Sequence, residues 1–315
     1  MKNLNTSVVC FGEVLWDVLP TGRIPGGAPM NVAYHLHKLG ADSKMISSIG
    51  NDIAGTNLVA FLKTVGLSTD HIQVNEQFAT SEVLASINDN NEVSYEIVYP
   101  VAWDKIAWEP QLAEMVSRAD AFVFGSLSSR DSISRETLLK LLDVANYRVF
   151  DVNLRAPHYT VALVTDLLNR ADMVKLNTSE LVQIAQWYDA NCQTEADCIE
   201  LLFREFNVRE ILITKGSTGA SYYTAAYRYD YPAYKISVAD TIGSGDAFLA
   251  AFLAMKLSDE PVEVALDYAV AMGAFITSQS GACPEYSRYD LGRFIWKKKL
   301  FSQTPNLMNH ELIAS

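Results

Sequence analysis

The sequence predicts an α/β protein in which a mostly parallel sheet is sandwiched between helices. Short apolar runs, typical of buried strands, alternate with helical patterns along most of the 315 residues. Glycine-rich turns lead into two of the predicted helices, and polar side chains follow several predicted strands. A predicted hairpin near residue 81 interrupts the alternation, so we expect a small inserted β-sheet as well.

Composition and charge narrow the function classes. The chain is 49% hydrophobic and 20% charged, which suffices for a large core and fits one large domain over residues 1–315, or one domain plus a small appendage. The formal net charge of −12 argues against binding to nucleic acid or to an anionic membrane. Apolar stretches are too short to span a bilayer, and Glu13 and Asp17 interrupt the first apolar run where a signal peptide would need its core. These features favour a cytoplasmic protein.

The N-terminal segment begins with a strand. Ser7–Leu15 starts as an apolar, β-branched run suited to a buried strand, and Gly12 ends its regular part. The stretch from Pro20 to Pro25 is rich in turn residues and predicts a turn-rich connection to the next element.

A glycine turn then leads into a helix. Gly26 and Gly27 precede a segment with apolar residues at helical spacing, which ends at Gly40. Asn31 lies in the first turns of this helix. The turn is either an ordinary capping loop or, together with Asp17, a site for a hydroxyl-rich ligand, which amide and carboxylate side chains recognise.

The alternation continues from residue 41 and changes at 81. A strand is predicted at Ser43–Ile49 and a helix at Gly55–Val65. Glu82–Ile87 and Val93–Tyr99 then flank the polar residues 88–91, which predicts an antiparallel hairpin with one apolar face. That face could cover a site as a lid, pair with a second subunit or pack on the parent domain.

Polar residues collect at the end of a later strand. Strands are predicted at Ala121–Phe124 and Tyr147–Val152, with a helix between them. Asp151, Asn153 and Arg155 stand at the C-terminal end of the second strand. Ligands of open α/β sheets bind at this edge, so these three residues are candidate site residues.

Two further strands end in motifs that suit either helix capping or ligand binding. Met173–Leu176 leads to Asn177-Thr-Ser-Glu180, which resembles a helix cap with an acidic first turn. Ile211–Thr214 leads to Lys215-Gly-Ser-Thr-Gly219, whose glycines would let a ligand approach the backbone. Capping is the simpler interpretation of the first motif.

The stretch 240–246 carries the strongest signal. Tyr234–Ala239 alternates polar and apolar residues like a strand, and Ala247–Met255 is apolar on every face, like a buried helix. Gly243 and Gly245 would let the amides of residues 243–246 point at one spot, at the positive end of the helix dipole. An anion is expected to bind there.

Asp246 stands at the edge of this predicted anion site. A carboxylate would repel a phosphate there unless it handles a proton beside one, so the stretch indicates phosphoryl transfer, with an ordinary helix cap as the alternative. The chain contains neither G-x-x-x-x-G-K-[ST] nor G-x-G-x-x-G, so a Walker or Rossmann phosphate site is not expected. The four cysteines lack any C-x-x-C spacing, which favours free thiols.

The order of these motifs resembles the ribokinase/PfkB family of sugar kinases over nearly the whole chain. The family's C-terminal signature, Asp-Thr-x-Gly-Ala-Gly-Asp, corresponds to residues 240–246, and its Gly-Gly-x-x-x-Asn to residues 26–31. Asn177-x-x-Glu180 is similar to the family's metal and phosphate motif, and Thr214-Lys-Gly-x-x-Gly219 is similar to its nucleotide loop.

Among its branches, the chain looks most like the fructokinases. The residues that carry this likeness are Phe11-Gly-Glu with Asp17, the run Gly-Gly-Ala-Pro-x-Asn-Val-Ala33, and Asn153-Leu-Arg155. The ribokinase branch usually has a lysine after the double glycine. The stretch from Pro100 to Trp103 departs from the pattern, because fructokinases often place arginine and asparagine there.

The resemblance implies a ribokinase-like, Rossmann-type fold with β-lid insertions at about 15–25 and 81–102. It implies an enzyme that uses ATP and Mg²⁺ to phosphorylate the primary hydroxyl of a sugar, foremost D-fructose to fructose 6-phosphate. The alternatives are a kinase for 2-keto-3-deoxygluconate, ribose or a nucleoside, or a catalytically silent regulator that binds sugar or nucleotide. A homodimer formed through the lid is a further expectation.

The resemblance also implies residue roles. Asp246 would accept the proton of the sugar hydroxyl, while the amides of Gly243, Ser244 and Gly245 stabilise the transferring phosphoryl group. Sugar binding is expected from Asp17, Gly26, Gly27, Asn31, Asn153 and Arg155. Nucleotide binding is expected from Asn177, Thr214, Gly216 and Gly219. Glu180 would hold hydrated Mg²⁺, and Asp240, Ile242 and Gly281 would surround a monovalent cation such as K⁺.

Two other positions depart from the family pattern. Ser244 replaces the usual alanine of the signature and leaves the backbone amide in place, so activity is expected to survive this change. Ser278-Gln279-Ser280 stands where relatives often carry a basic residue, which bears on ATP affinity and on the cation site.

Overall fold

The structure is a computed structural model that describes residues 6–19, 22–87 and 93–301. Its strands are β1 (Ser7–Phe11), β2 (Leu15–Leu19), β3 (Gly22–Gly26), β4 (Asp42–Gly50), β5 (Ile72–Asn75), β6 (Ser81–Ile87), β7 (Val93–Ile97), β8 (Ala121–Gly125), β9 (Arg148–Asp151), β10 (Met173–Asn177), β11 (Glu210–Thr214), β12 (Ala220–Thr224) and β13 (Arg228–Tyr231). Its α-helices are α1 (Ala28–Leu39), α2 (Ile53–Thr64), α3 (Pro110–Arg118), α4 (Ser132–Leu142), α5 (Val161–Arg170), α6 (Thr178–Gln186), α7 (Glu195–Glu205), α8 (Ser244–Lys256), α9 (Val262–Thr277) and α10 (Arg288–Phe301).

A central sheet organises the described residues. Its nine strands stand in the order β13-β12-β11-β10-β9-β8-β1-β4-β5. All neighbours from β11 to β5 run parallel, whereas β12 and β13 are antiparallel additions at one edge. The parallel strands therefore present their C-terminal ends along one edge of the sheet, which is the edge where ligands bind in such folds.

Helices cover both faces of the sheet, as predicted. In β1, Val8 and Cys10 belong to the core shared with α1, α8 and α9, while Val9 and Phe11 belong to the core shared with α3 to α7. All four side chains are fully buried. Successive strand residues point to opposite faces, so a strand covered on both sides has a continuous apolar sequence.

The predicted buried helix at 247–255 is confirmed as the body of α8. Every residue from Asp246 to Ala254 is buried, because α8 packs against both α1 and α9. Its all-round apolar character is what a helix surrounded by protein requires. Within the described residues, no helix combines the length and the apolar character needed to cross a membrane.

The two predicted lid stretches form one small sheet with the order β3-β2-β6-β7. β6 and β7 pair antiparallel, which confirms the strands of the predicted hairpin, while its turn at 88–91 lies outside the described residues. The turn-rich connection expected up to Pro25 is wrong from Gly22 onward, because β3 pairs antiparallel with β2. β3 is an edge strand, where a proline that cannot donate to the ladder is tolerated.

The strand predicted at Tyr234–Ala239 is wrong. β13 ends at Tyr231, Pro232 follows, and the chain then runs without regular structure to the loop at 240. The amides of Ala239 and Asp240 donate to the carbonyl of Thr277 at the end of α9, at 2.9 and 3.2 Å. The alternation is only partly expressed as burial, because Tyr234 and Ile236 are half-buried whereas Val238 is exposed.

Candidate active site

The candidate site lies at the C-terminal edge of the central sheet, beside the N-termini of α1 and α8. It is a concentration of charge within one partly buried region. The carboxylates of Glu13, Asp17, Asp151, Asp240 and Asp246 interact electrostatically with one another and with Arg155 and Lys175. The sequence predicted most of this group, and the fold brings its members together from distant segments of the chain.

The loop 240–246 takes the predicted shape of a glycine turn into a helix. Gly243 is the residue before α8 and adopts a left-handed conformation, with φ 71° and ψ −2°. A Cβ atom at this position would lie 2.6 Å from the Cβ of Ala282, so only glycine fits. Helix geometry leaves the first amides of α8 without intrahelical partners.

Of the four predicted amides, that of Ser244 already has a partner within the protein. The amide of Ser244 donates to the carbonyl of Thr241 at 3.3 Å, and the first helical bond runs from Ala247 to the carbonyl of Gly243 at 2.9 Å. The amides of Gly245 and Asp246 follow in the first turn of α8, where the helix dipole also favours negative charge. The turn therefore has backbone geometry that suits an anion at the start of a buried helix.

Asp246 is a buried carboxylate held by a specific partner. Its side chain is only 9% exposed, and Oδ2 accepts a hydrogen bond from Nδ2 of Asn31 at 2.8 Å. Burial raises the pKa of Asp246 to about 6, with the Asp151 carboxylate acting in the same direction and Lys175, Asn31 and Arg155 opposing it. The group is thus ionised near neutral pH yet basic enough to take a proton.

A buried lysine lies beside the anion site, and it was not among the residues predicted from the sequence. Lys175 is 7% exposed, and its Nζ contacts both carboxylate oxygens of Asp151, at 2.9 and 3.0 Å. The same Nζ lies 3.2 Å from the position of a Cβ on Gly245. Burial lowers the pKa of Lys175, but the carboxylates of Asp151, Asp246 and Glu180 outweigh it and raise the pKa overall.

A signal for this lysine was present in the sequence. Lys175 interrupts the apolar run Met173–Leu176 of a strand buried on both faces. Charged residues are rarely buried without a partner, so a lysine in such a strand implies a carboxylate on a neighbouring strand. Asp151 is that carboxylate, and it is the register partner of Lys175 in the adjacent strand β9.

The first glycine turn lies next to Asp17, as predicted. Asp17 is on β2, and its Oδ2 lies so close to Gly26 that a Cβ on Gly26 would collide with it. Gly27 has φ 113° and lies against the backbone carbonyl of Glu13, which also excludes a Cβ. Burial raises the pKa of Asp17 to about 6, with Arg155 opposing and Asp240 and Asp246 adding to the shift.

Glu13 is a second residue of the site to which the sequence motifs gave no role. It is 3% exposed, and its Oε2 has no hydrogen-bond partner among the described residues. Burial raises its pKa to about 7, the Asp246 carboxylate adds to this, and backbone amides and Arg155 oppose it. A glutamate directly after a buried strand, at the edge where ligands bind, could have indicated this position.

The loop after β9 contributes the predicted Asn153 and Arg155. Asn153 has φ 39°, a left-handed conformation that asparagine tolerates better than most residues. The Arg155 side chain is exposed, and its Nη1 donates to the carbonyl of Leu154 at 3.0 Å. Its positive charge acts on Glu13 and Asp246, so it lies near the carboxylates without being paired to one.

Glu180 forms the helix cap that the sequence indicated. Its Oε2 accepts from the amide of Asn177 at 2.8 Å, while Asn177 Oδ1 accepts from the amide of Glu180 at 2.9 Å. The other oxygen, Oε1, accepts from the amide of Leu154 at 2.9 Å, which ties α6 to the loop after β9. Burial raises the pKa of Glu180, with the Asn177 amide and Lys175 opposing.

The side chains of the site suit an Mg²⁺ ion that is bound mainly by substrate phosphates and waters. No group of three His, Cys, Asp or Glu side chains within the described ranges could hold a metal ion by itself. Magnesium is commonly bound by one or two carboxylates together with substrate phosphates and waters. Glu180 already accepts backbone amides with both oxygens, so it suits contact with a hydrated ion through the remaining lone pairs.

Two of the predicted nucleotide residues end neighbouring strands, and the two glycines lie between β11 and β12. Asn177 and Thr214 are register partners at the C-terminal ends of β10 and β11. Gly216 has φ 55°, and no atom lies within 4 Å of the position that a Cβ would take, so its backbone faces open space. Gly219, with φ 116°, would collide with the carbonyl of Tyr231 if it carried a Cβ, so packing against the end of β13 accounts for this glycine.

The three residues predicted to surround a monovalent cation lie together. Asp240 Oδ1 accepts from the amide of Ile242 at 3.0 Å, and Oδ2 accepts from the amide of Gly281 at 3.1 Å. The carboxylate therefore joins the loop before α8 to the turn after α9. A Cβ on Gly281 would lie 3.6 Å from the Cγ2 of Ile24, so this turn passes close to β3.

Comparisons with known proteins agree with this chemistry. The model of the pfkB family carbohydrate kinases matches residues 5–287. The probable fructokinase-5 of Arabidopsis thaliana is 28% identical over 306 residues, an alignment that covers 88% of this chain and 93% of that relative.

The fold is similar to that of solved kinases. Fructokinase with bound ATP from Xylella fastidiosa superposes with a TM-score of 0.81 at 23% identity, covering 93% of this chain and 99% of that chain. Fructokinase from Vibrio cholerae O395, in a form that binds fructose, ADP and calcium ion, gives a TM-score of 0.79 at 21% identity, covering 93% and 100%. These likenesses confirm the predicted ribokinase-like fold. The family match over nearly the whole length confirms the predicted family, and the chain belongs to the pfkB family of carbohydrate kinases.

Proposed function

We propose that the protein transfers the γ-phosphoryl group of ATP to the primary hydroxyl of D-fructose and releases fructose 6-phosphate and ADP. The observation that carries the reaction type is the buried carboxylate of Asp246, which lies in the first turn of α8 among amides suited to an anion. The choice of fructose is supported by a curated relative named as a probable fructokinase and by the fructose-bound kinase of similar fold.

In the proposed reaction, Asp246 takes the proton of the sugar hydroxyl as the hydroxyl oxygen attacks the γ-phosphorus. The bond from the γ-phosphorus to its bridging oxygen breaks, and ADP leaves with that electron pair. The amides of Gly245 and Asp246 donate to the phosphoryl oxygens, and Lys175 and Arg155 add positive charge nearby. Mg²⁺ bound with ATP would neutralise phosphate charge, with Glu180 contacting its waters.

The remaining predicted residues are assigned by position. The sugar is assigned to the residues of the lid sheet, the start of α1 and the loop after β9. These are Asp17, Gly26, Gly27, Asn31 and Asn153. Asn177, Thr214, Gly216 and Gly219 contact the nucleotide beyond β10. Asp240, Ile242 and Gly281 hold a monovalent cation such as K⁺ beside the anion site.

The proposal is tested by coupled measurement of ADP release with Mg·ATP and fructose, beside ribose, glucose and 2-keto-3-deoxygluconate. We expect turnover with fructose and the highest kcat/KM for it. In Asp246→Asn, which keeps the shape and loses the base, kcat falls roughly 10²-fold or more with little change in KM. Asp259→Asn on the surface serves as the control and keeps full activity.

Other outcomes would change the assignment. Turnover with another sugar only would keep the mechanism and move the substrate, and undiminished kcat in Asp246→Asn would remove the role given to that residue. Fructose binding by calorimetry without turnover would indicate a catalytically silent regulator. In the stretch after the lid, Trp103 is fully buried in the core and its ring centroid lies 4.2 Å from the guanidinium carbon of Arg130, so packing accounts for this residue.

We also propose that the lid sheet forms the contact of a homodimer. The support is the sequence pattern of Val93–Tyr99, in which Val93, Tyr95, Ile97 and Tyr99 alternate with other residues, together with the exposed edges that a four-stranded open sheet presents. Light scattering at several concentrations measures this directly. A mass of one chain at all concentrations would contradict it.

A further inference from the structure

One buried contact next to Asp246 involves a residue that lies outside every motif of the site. The thiol of Cys283 lies 3.2 Å from Oδ1 of Asn31, and Nδ2 of the same amide donates to Oδ2 of Asp246 at 2.8 Å. The three side chains form a chain of hydrogen bonds from the turn after α9, through α1, to the first turn of α8. Asn31 is only 4% exposed, so its amide depends on these two protein partners.

We propose that Cys283 is a positioning residue, whose thiol fixes the side-chain amide of Asn31 so that Nδ2, and not Oδ1, faces the carboxylate of Asp246. This inference rests on the proposed role of Asp246 as the base. An asparagine amide has two ends of nearly equal shape, and a half-turn would exchange them. The thiol favours this orientation because it donates its proton to the amide oxygen at 3.2 Å, whereas a turned amide could reach the thiol only by donating to sulfur, which is a weak acceptor.

The segment that carries Cys283 is held against α1 on both sides of the thiol. On one side, the carbonyl of Ala282 is 2.9 Å from Nε2 of His35. On the other, Tyr34 Oη donates to the carbonyl of Pro284 at 2.6 Å, and Tyr286 Oη lies 3.0 Å from Nδ1 of His35. The thiol is therefore placed by contacts that precede and follow it.

The orientation matters most when Asp246 is protonated. As a carboxylate, Asp246 itself selects the amide hydrogen atoms of Asn31. As an acid, its O–H could donate to Oδ1 of a turned amide, which would stabilise the form that cannot act as a base. By holding Oδ1 away from Asp246, Cys283 disfavours that alternative and keeps the base available at lower pH.

Other charged groups also face Asp246, and the thiol acts in addition to them. They are Lys175 on β10, Asp151 on β9, Arg155 in the loop after β9, Glu13 after β1 and Asp17 on β2. None of these groups is altered by a substitution at residue 283. A change in the titration of Asp246 after such a substitution can therefore be traced to the amide of Asn31.

The experiment compares three variants at one position by the pH dependence of kcat/KM. Cys283→Val fills a similar volume but has no hydrogen-bond donor. Cys283→Ala removes the donor and most of the side-chain volume, and Cys283→Ser keeps a donor. We expect the acidic limb in the valine and alanine variants to move to higher pH by about half a unit or more, a size typical of one lost hydrogen bond. The ratio of kcat/KM at pH 5.5 to kcat/KM at pH 8 is then about three-fold or more lower in these two variants than in the wild type. The serine variant stays close to the wild type.

A double-mutant cycle separates positioning from packing. In an Asn31→Ala background, Cys283→Val should produce no further shift of the acidic limb, because the amide through which the thiol acts is gone. Cys198→Ala, which alters a buried thiol in the core on the opposite face of the sheet, is the matched control and leaves the limb unchanged. Equal shifts with and without Asn31, or an unshifted limb in Cys283→Val, would overturn the proposal.

A readout without turnover keeps this test independent of the proposed function. Carboxyl ¹³C NMR of aspartate-labelled protein, with the Asp246 signal assigned from Asp246→Asn, reports the titration of that group directly. We expect its midpoint to rise in Cys283→Val and not in Cys283→Ser. If no sugar is turned over but this pattern holds, the positioning role stands and the proposed reaction fails; if turnover is found and the midpoint stays constant, the reverse is true.

Discussion

At the residue scale, Glu13 is a carboxyl group whose environment differs sharply from water. It is buried, one of its oxygens has no partner among the described residues, and its pKa rises to about 7. A carboxyl whose pKa is higher in the folded state stabilises the fold below its unfolded value, near 4.5, and this contribution is lost as pH rises toward 7. The buried charge of Glu13 therefore lowers the stability of the fold near neutral pH.

The prediction for Glu13→Gln follows from that sign. The wild type should lose about 3 kcal/mol of unfolding free energy relative to Glu13→Gln as pH rises from 4.5 to 8. Urea unfolding at a series of pH values measures it. Glu136→Gln, at an exposed position on α4, is the control and should show no such trend; a difference that stays constant with pH would contradict the raised pKa of Glu13.

Lys175 and Asp151 form a buried ion pair whose two functions can be separated. Lys175→Met leaves the Asp151 carboxylate buried without its partner, so the unfolding free energy falls by about 3–5 kcal/mol. It also removes a positive charge beside Gly245, so kcat falls. Adding Asp151→Asn to this variant should restore most of the stability and none of the kcat, as measured by urea unfolding and ADP release. Full recovery of kcat in the double variant would show that Lys175 serves packing alone.

At the element scale, the start of α8 depends on one glycine. Gly243 is left-handed and lies against Ala282, so Gly243→Ala both strains the backbone and displaces the turn after α9. We expect a loss of stability of more than about 1 kcal/mol and a large fall in kcat, since the amides of the first turn move with the backbone.

Gly292 offers the matched control for that substitution. It lies within α10, with no atom within 4 Å of an added Cβ, so Gly292→Ala should raise stability by about 0.5–1 kcal/mol and leave kcat unchanged. Thermal unfolding and ADP release are measured on both variants. Equal effects of the two substitutions would mean that the turn before α8 has no special geometry.

At the scale of the whole molecule, activity and stability should respond to pH in opposite directions. Burial raises the pKa of Glu13 to about 7 and those of Asp17 and Asp246 to about 6, so protonation of all three stabilises the fold. Deprotonation of Asp246 is what the proposed reaction needs. Buried His35 acts in the opposite direction, because burial lowers its pKa to about 4 and its neutral form favours the fold as pH rises toward 6.5, but it is one group against three. Asp172, with a pKa of about 2, affects stability only at lower pH.

Between about pH 5 and pH 7.5 we expect kcat and the melting temperature to change in opposite directions. The value of kcat rises through an apparent pKa near 6, while the melting temperature falls over the same range. Both are measured on one preparation by ADP release and scanning fluorimetry in constant-ionic-strength buffers. A melting temperature that rises together with kcat would show that the three site carboxyls do not dominate the pH dependence of stability.

Local patterns were enough to predict much of this fold and site. The parallel strands, the buried helix α8 and the hairpin strands β6 and β7 each follow from periodicity within a short stretch of sequence. The prediction failed at Tyr234–Ala239, where the alternation was real but no strand was available as a partner, and at β3, where turn-forming residues lie on a sheet edge. Pairing across the sheet is not visible in a local pattern.

The sequence by itself determined the parts whose chemistry is local: the glycine turn before α8, the carboxylate of Asp246 in its first turn, and the cap formed by Asn177 and Glu180. Only the tertiary structure decided which distant groups share the site. Lys175 comes from one strand and Glu13 follows another, and burial removes water from both. Cys283 lies in the turn after α9 and reaches the site through its contact with Asn31. The physical reason is that the pKa and the hydrogen bonds of a buried group depend on its neighbours in space, and sequence spacing does not specify those neighbours.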